Sequence, residues 1–273
     1  MQQPRVVTGV SSVPEPAGAA PLVRASSVTL QYKTPDHLVT ATYRVSFDIF
    51  PAERFVILGP SGCGKSTILK AIAGFLKPVE GEILLKGRPV KEPGPDRLMV
   101  FQEFDQLLPW KTVLGNVMFP MIENKVPRSD AEKRARDAIA KVNLLEFTDV
   151  YPHMLSGGMK QRCAIARAMA MKPDVLMMDE PYAALDALTR RKMQDELLQL
   201  WNDIRFTLVF VTHSIEEAVI LGSRILVLSP HPGQVRAELN SPGFAHEARG
   251  GAAFQELVQK ISHMLFGDRA GSH

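Results

Sequence analysis

The run Gly59-Pro60-Ser61-Gly62-Cys63-Gly64-Lys65-Ser66-Thr67 places glycines, a cation and three hydroxyls within one short stretch. Glycines let a backbone curl until its N–H groups face a phosphate, and a helix starting there adds its positive end. Lys65 suits the β and γ phosphates of a nucleotide, and the Ser66 hydroxyl suits a Mg²⁺ ion. The run fits G-x-x-x-x-G-K-[ST] in full. The apolar Phe55-Val56-Ile57-Leu58 precedes it and the helical pattern STILKAIAGFL overlaps its end. That is the strand, loop and helix order a phosphate cradle requires. Alone, the motif indicates an NTPase or a kinase.

A second apolar segment, Val175-Leu176-Met177-Met178, ends in Asp179-Glu180. Two carboxylates at the mouth of a buried strand are costly without a cation or another specific role. Beside a phosphate cradle, Asp179 is the expected water-mediated Mg²⁺ partner. Glu180 is then placed to polarise an attacking water as general base. Two further strand patterns end in polar groups, Met99-Val100-Phe101 in Gln102 and Val209-Phe210-Val211-Thr212 in His213. Singly, Gln102 and His213 are ordinary strand-end residues. In an open α/β sheet, however, ligands collect at the carboxyl ends of strands. Four strands there would deliver the cradle, a Gln, an Asp-Glu pair and a His to one edge.

Leu155-Ser156-Gly157-Gly158-Met159-Lys160-Gln161-Arg162 supplies a second anion site. Ser156 is a good N-cap, and Gly157 and Gly158 leave backbone N–H groups accessible at a helix start. One nucleotide does not need two phosphate cradles in one chain. The second is therefore expected to serve a neighbour's nucleotide.

The elements that must hold these groups read as an α/β fold. Strand-like alternation covers 23–32, 38–50 and 82–90, as in an antiparallel, half-buried sheet. Short apolar strands at 97–101, 175–178, 207–211 and 225–228 alternate with helical patterns, which argues for a mostly parallel sheet. Residues 103 to about 170 read as a helical insertion, with Ser129-Asp130-Ala131-Glu132 expected as a capping box. Residues 1–22 are rich in Pro, Ser, Gly and Ala and are expected to be a disordered leader. The main domain is expected over 23–235. In the 236–273 tail, Phe254, Leu257, Val258, Ile261 and Leu265 form a stripe suited to docking a helix at about 252–266.

Bulk properties exclude several classes. The 273 residues are 45% hydrophobic and 22% charged, with a net charge of +3. Basic residues are interspersed with acidic ones, so no nucleic-acid partner is expected. No run approaches the ~18 apolar residues of a membrane helix. The chain is expected in the cytosol, with any membrane role requiring a spanning partner. Cys63 and Cys163 cannot make a disulfide framework. Cys63 lies at a helix N-terminus that can favour a thiolate, so a bulky maleimide is expected to reach it.

GPSGCGKST, Gln102, LSGGMKQR, VLMMDEP, Ala184-Leu185-Asp186 and His213, in this order, resemble an ABC-transporter ATPase over about residues 23–235. LSGGMKQR separates that class from other P-loop proteins. PGPDR (93–97), LLPW (107–110), DEPYAALDALTR (179–190) and VTHSIEEA (211–218) are similar to bacterial importer ATPases for nitrate, sulfonates and taurine. The resemblance implies a P-loop NTPase core with an N-terminal antiparallel β subdomain and a helical subdomain. It also implies ATP with Mg²⁺ and a head-to-tail homodimer at the cytoplasmic face of the inner membrane. Transmembrane permease subunits are implied as partners, with a substrate-binding protein as an indirect one. By position, Tyr32 would stack on adenine and Asp186 would signal across the interface. Gln102 would touch Mg²⁺ or the attacking water, and His213 would hold the γ-phosphate and Glu180 in register.

Three departures stand out. Glu103–Trp110 carries one residue more than the family pattern, beside the groove that receives the permease's coupling helix in ABC importers. Ser214 replaces the acid that usually follows the His. Ala52 replaces a turn Gly, which is expected to alter the loop before Glu53. Leu107, Leu108 and Trp110 are expected either to form an interface or to pack the helical insertion. A soluble ABC protein would ordinarily carry two cassettes or a long coiled coil, and neither is present. An exporter ATPase remains the other alternative.

Overall fold

Side-chain alternation divides the strands between two sheets. The computed structural model describes residues 20–33, 37–101, 106–241 and 249–267. β1 (Val23–Lys33) pairs antiparallel with β2 (Leu38–Ile49) and with β4 (Glu80–Leu85), and β5 (Arg88–Pro89) completes a four-stranded sheet ordered β2-β1-β4-β5. The second sheet is six-stranded. It comprises β3 (Arg54–Leu58), β6 (Arg97–Val100), β7 (Val175–Asp179), β8 (Thr207–Thr212), β9 (Arg224–Leu228) and β10 (Val235–Asn240), in the order β10-β9-β3-β8-β7-β6. All its pairs are parallel except β9 with β10. The central strands are uniform apolar runs because both faces are covered.

The period of two assigns each strand residue to a face. Val56, Leu58, Leu176, Met178, Leu208 and Phe210 enter one core, shared with α2 (Val113–Glu123), α3 (Arg128–Lys141) and α4 (Gly157–Ala170). Phe55, Ile57, Val175, Met177, Val209 and Val211 enter the other, shared with α1 (Lys65–Ala73) and the antiparallel sheet. Each such buried side chain contributes about 1.5–3 kcal/mol through area removed from water. α5 (Ala187–Ile204) and α6 (Ile215–Leu221) complete the first layer. α7 (Ala252–Phe266) packs on α6, burying Phe254, Ile261 and Leu265, with Arg249 ion-paired to Asp195 of α5 at 2.6 Å.

Several local expectations change. β10 is a strand that the sequence reading does not place, although Val235, Ala237 and Leu239 alternate with polar residues. The Ser129 capping box does not form. α3 begins at Arg128, after Pro127 presets the backbone, so Ser129 lies inside the first turn. Ala52 adopts φ 55°, so the turn before Glu53 keeps left-handed geometry and the missing glycine becomes local strain. Leu107 and Trp110 separate: Leu107 is 4% exposed and Trp110 is 71% exposed. Asn116, fully buried, decides this. Its amide donates to the carbonyls of Leu108, Lys111 and Thr112 and its oxygen accepts from the Leu108 N–H, which clamps the loop with Trp110 outside. Of the leader only 20–22 is described, and Leu22 there is buried with its N–H on the Ile49 carbonyl. Gln102 lies outside the described residues.

Candidate functional site

Strand order sets the site. β8 lies between β3 and β7 with all three parallel, so their carboxyl ends share one edge. Leu58 pairs with Thr212 and Asp179 with Val211. The cradle following β3, His213 following β8 and Asp179-Glu180 at the end of β7 are therefore neighbours.

Gly64 turns the cradle into α1 with φ 93°. A Cβ there would lie 2.7 Å from the Ala41 carbonyl oxygen and 2.6 Å from Thr42 Cγ2, so β2 leaves room only for glycine. Gly59 and Pro60 offer carbonyls that accept from Lys65 Nζ at 3.0 and 3.1 Å. Lys65 is only 4% exposed, whereas Ser61 and Gly62 are open to solvent. Ser66 and Thr67 sit half-buried in the first turn. Cys63 departs from expectation. It is fully buried, and burial pushes its thiol up despite the nearby Lys65. The helix start does not prevail over desolvation.

The acids are positioned by their backbones. Ser66 Oγ donates to Asp179 Oδ1 at 2.8 Å. Burial raises the Asp179 carboxyl, with that hydrogen bond opposing and the Glu180 charge adding. Glu180 adopts φ 43°, a left-handed conformation uncommon for any residue but glycine, and its N–H is tied to the Val211 carbonyl at 3.1 Å. This turn swings the carboxylate across the end of β8. Its Oε2 lies 2.8 Å from His213 Nδ1 and its Oε1 lies 3.5 Å from Lys65 Nζ. With Nδ1 engaged, the other ring nitrogen of the half-exposed His213 remains available to a phosphate.

Ser156 caps α4, its Oγ accepting from the Met159 N–H at 3.3 Å, with Gly157 and Gly158 opening the helix. Among the described residues, no hydrogen bond joins Ser156, Gly157 or Gly158 to the Lys65–Glu180–His213 group. Asp186 is the N-cap of α5, accepting from Leu188 and Thr189 N–H at 3.1 and 3.0 Å. Thr189, through its side-chain hydroxyl first and its N–H next, holds the Asp186 carboxyl below the usual range, with the Leu188 N–H adding to the effect. Gly158 meets α5 closely: a Cβ there would lie 3.4 Å from Thr189 Cγ2. Tyr32 is 44% exposed near the end of β1, paired with Val39.

Residues 42–183 match the protein family described as ABC transporter. The chain belongs to the ABC transporter family. It is 48% identical over 236 residues to the taurine import ATP-binding protein TauB of Rhizobium johnstonii, covering 83% of this chain and 89% of that one. It is 43% identical over 208 residues to the bicarbonate transport ATP-binding protein CmpD of Synechocystis, covering 76% of this chain and 73% of that one. The dimeric post-hydrolysis structure of the ATP-binding cassette MJ0796 bound to ADP and Pi superposes with TM-score 0.70. The two are 35% identical, covering 81% of this chain and all (100%) of the cassette. This ABC protein is thus an ATP-binding cassette, and ATP hydrolysis is its chemistry.

The ABC site also uses residues that the motifs do not announce. Ala41 and Thr42 of β2 roof Gly64, and Gly233 returns to accept from the Tyr43 N–H and donate to the Ala41 carbonyl. Ser214 N-caps α6, its Oγ accepting from the Glu217 N–H at 3.4 Å. The Ser214-x-x-Glu217 spacing was a legible signal for that cap. Ser66 and Asp179 present hard oxygens 2.8 Å apart beside the cradle, which fits Mg²⁺. Such an ion keeps several waters and needs few protein ligands.

Proposed function

We propose that this chain is the ATP-hydrolysing subunit of an ABC importer, energising uptake of a small molecule of the nitrate, sulfonate or taurine class. The observation that carries the reading is the convergence of Lys65, Glu180 and His213, with Glu180 2.8 Å from His213 and 3.5 Å from Lys65. In this reading Gly59, Pro60, Ser61, Gly62, Cys63, Gly64, Lys65, Ser66 and Thr67 cradle the ATP phosphates, and Tyr32 stacks on adenine. Ser66 and Asp179 hold Mg²⁺, which neutralises phosphate charge; Gln102 joins them on the strength of the family resemblance. Glu180 accepts the proton of a water that attacks the γ-phosphorus as the bond to the β-phosphate oxygen breaks, giving ADP and phosphate. His213 fixes Glu180 through Nδ1, and Lys65 offsets charge on the phosphates.

The second cradle, Ser156-Gly157-Gly158, serves the ATP of a second copy in a head-to-tail dimer, with Asp186 at the interface. The dimer works at the cytoplasmic face of the inner membrane beneath transmembrane permease subunits, which receive substrate from a binding protein. Relatives named for taurine import and bicarbonate transport support this. Among the described residues no helix is long and apolar enough to cross a membrane, in keeping with a separate spanning partner.

The test is Glu180→Gln. ATP binding should persist while turnover falls by on the order of 10²–10⁴-fold, and gel filtration should show an ATP-dependent doubling of mass. Adding Ser156→Arg should abolish that dimer with monomer affinity nearly unchanged, whereas Lys65→Ala should weaken monomer binding itself. Near-normal turnover in Glu180→Gln would remove Glu180 as base. Monomer binding lost equally in Ser156→Arg and Lys65→Ala would overturn the shared site.

A further inference from the structure

Behind His213 lies a carboxylate that the hydrolytic roles above leave unused. Glu217 of α6 is 6% exposed, and its partners Gln194 of α5 and Thr212 of β8 are 4% and 2% exposed. Gln194 Nε2 donates to Glu217 Oε1 at 3.0 Å, and Thr212 Oγ1 donates to Glu217 Oε2. The same Thr212 hydroxyl accepts from the Ser214 N–H at 3.0 Å. In an ordinary capping box the glutamate would reach the cap N–H directly. Here the threonine hydroxyl stands between them, so Glu217 grips the chain on both sides of His213.

The opposite side of the reacting pair leads to the same place. Arg190 donates to the carbonyls of Tyr182 and Leu185 at 3.3 and 2.9 Å, holding the turn that follows Glu180. Arg190 also lies near enough to act on the Glu217 charge. Hydrocarbon of similar size could fill the space between α5, α6 and β8 without the desolvation of a carboxylate. A satisfied buried polar cluster instead specifies one geometry.

We propose that Glu217 is a positioning residue for ATP hydrolysis, fixing the exit of β8 through Thr212 and Ser214 so that His213 Nδ1 meets Glu180. The inference rests on the Glu180 and His213 roles proposed above. It makes Glu217 act through His213 and assigns it no contact with nucleotide.

The experiment measures kcat, KM, ATP affinity and melting temperature for Glu217→Ala, Glu217→Gln and Thr212→Val, each alone and with His213→Ala. Glu217→Ala and Thr212→Val should lower kcat on the order of tenfold, as small misplacements in a preorganised site do, with ATP affinity within about twofold. Glu217→Gln should recover most turnover, because its amide can accept from Thr212 and donate to a flipped Gln194. On the His213→Ala background neither loss should add further. Losses that multiply with His213→Ala, or full turnover in folded Glu217→Ala and Thr212→Val, would overturn the proposal. Should Glu217→Ala fail to fold, Thr212→Val, which keeps the side-chain shape, decides. Normal turnover in Glu180→Gln sinks the underlying assignment instead; a dead Glu180→Gln beside active Thr212→Val and Glu217→Ala sinks only the positioning role.

Discussion

Glu180 Oε2 lies 2.8 Å from His213 Nδ1 while the Glu180 backbone holds φ 43°. A non-glycine residue in that region costs about 1–3 kcal/mol and persists only where its surroundings impose it. Here the imposing contacts are the Glu180 N–H on the Val211 carbonyl and the carboxylate held between His213 and Lys65. Strain therefore coincides with the residue proposed as general base, and its side chain is already aimed at His213 and Lys65.

Both thiols should resist modification in the native chain. Cys63 and Cys163 are fully buried, and burial pushes Cys163 up to about 12 and Cys63 in the same direction. Maleimide labelling should proceed only at the unfolding rate, with MgATP slowing both by stabilising the fold. Rapid labelling of Cys63 under native conditions, followed by peptide mapping, would refute its burial.

Leu107 and Trp110 should fail differently. Leu107→Ala leaves a core cavity and should cost about 2–4 kcal/mol of stability. Trp110→Ala, at an exposed site clamped by Asn116, should change stability by no more than ~0.5 kcal/mol. If Trp110 faces the permease, its loss should nonetheless reduce co-purification and transport while basal ATPase persists. A Trp110→Ala chain that melts early would return the residue to the core.

Asp179 should make the site less stable as pH rises. Its carboxyl is raised chiefly by burial, so it keeps its proton to higher pH in the folded chain than in the unfolded one. Between those two values the folded state binds more protons, and stability falls as pH increases through the window. Asp179→Asn keeps an acceptor for Ser66 and removes the buried charge. Without Mg²⁺ or ATP, it should melt higher than the parent at pH 7, and the difference should vanish below the ordinary aspartate range. An unchanged difference across the titration would refute the assignment.

Ala52→Gly should stabilise the fold. Ala52 holds φ 55° with its N–H on Thr207 Oγ1 at 3.0 Å. Relief of left-handed strain, less the added freedom of glycine in the unfolded chain, leaves about 0.5–1 kcal/mol. Denaturant midpoints should rise with an unchanged m-value, and ATPase should not move.

The phosphate cradle, the Asp179-Glu180 pair, the Ser156 cap and the strands that carry them were readable without coordinates. Each depends on local rules: glycine freedom, capping chemistry and apolar runs that only a covered sheet tolerates. The same rules put the start of α3 two positions late, at Ser129 instead of Pro127, and left β10 unassigned, because helix starts and edge strands depend on neighbours. Where a side chain lies relative to distant chain was decided by packing alone. Burial overrides the helix start at Cys63, Asn116 sends Leu107 inward and Trp110 outward, and the β3-β8-β7 order brings His213 to Glu180. Sequence spacing determines which residues a strand or turn can present. Only the pairing of strands far apart in the chain determines which of them meet, since contact energies fall off over ångströms while the separations along the backbone run to scores of residues.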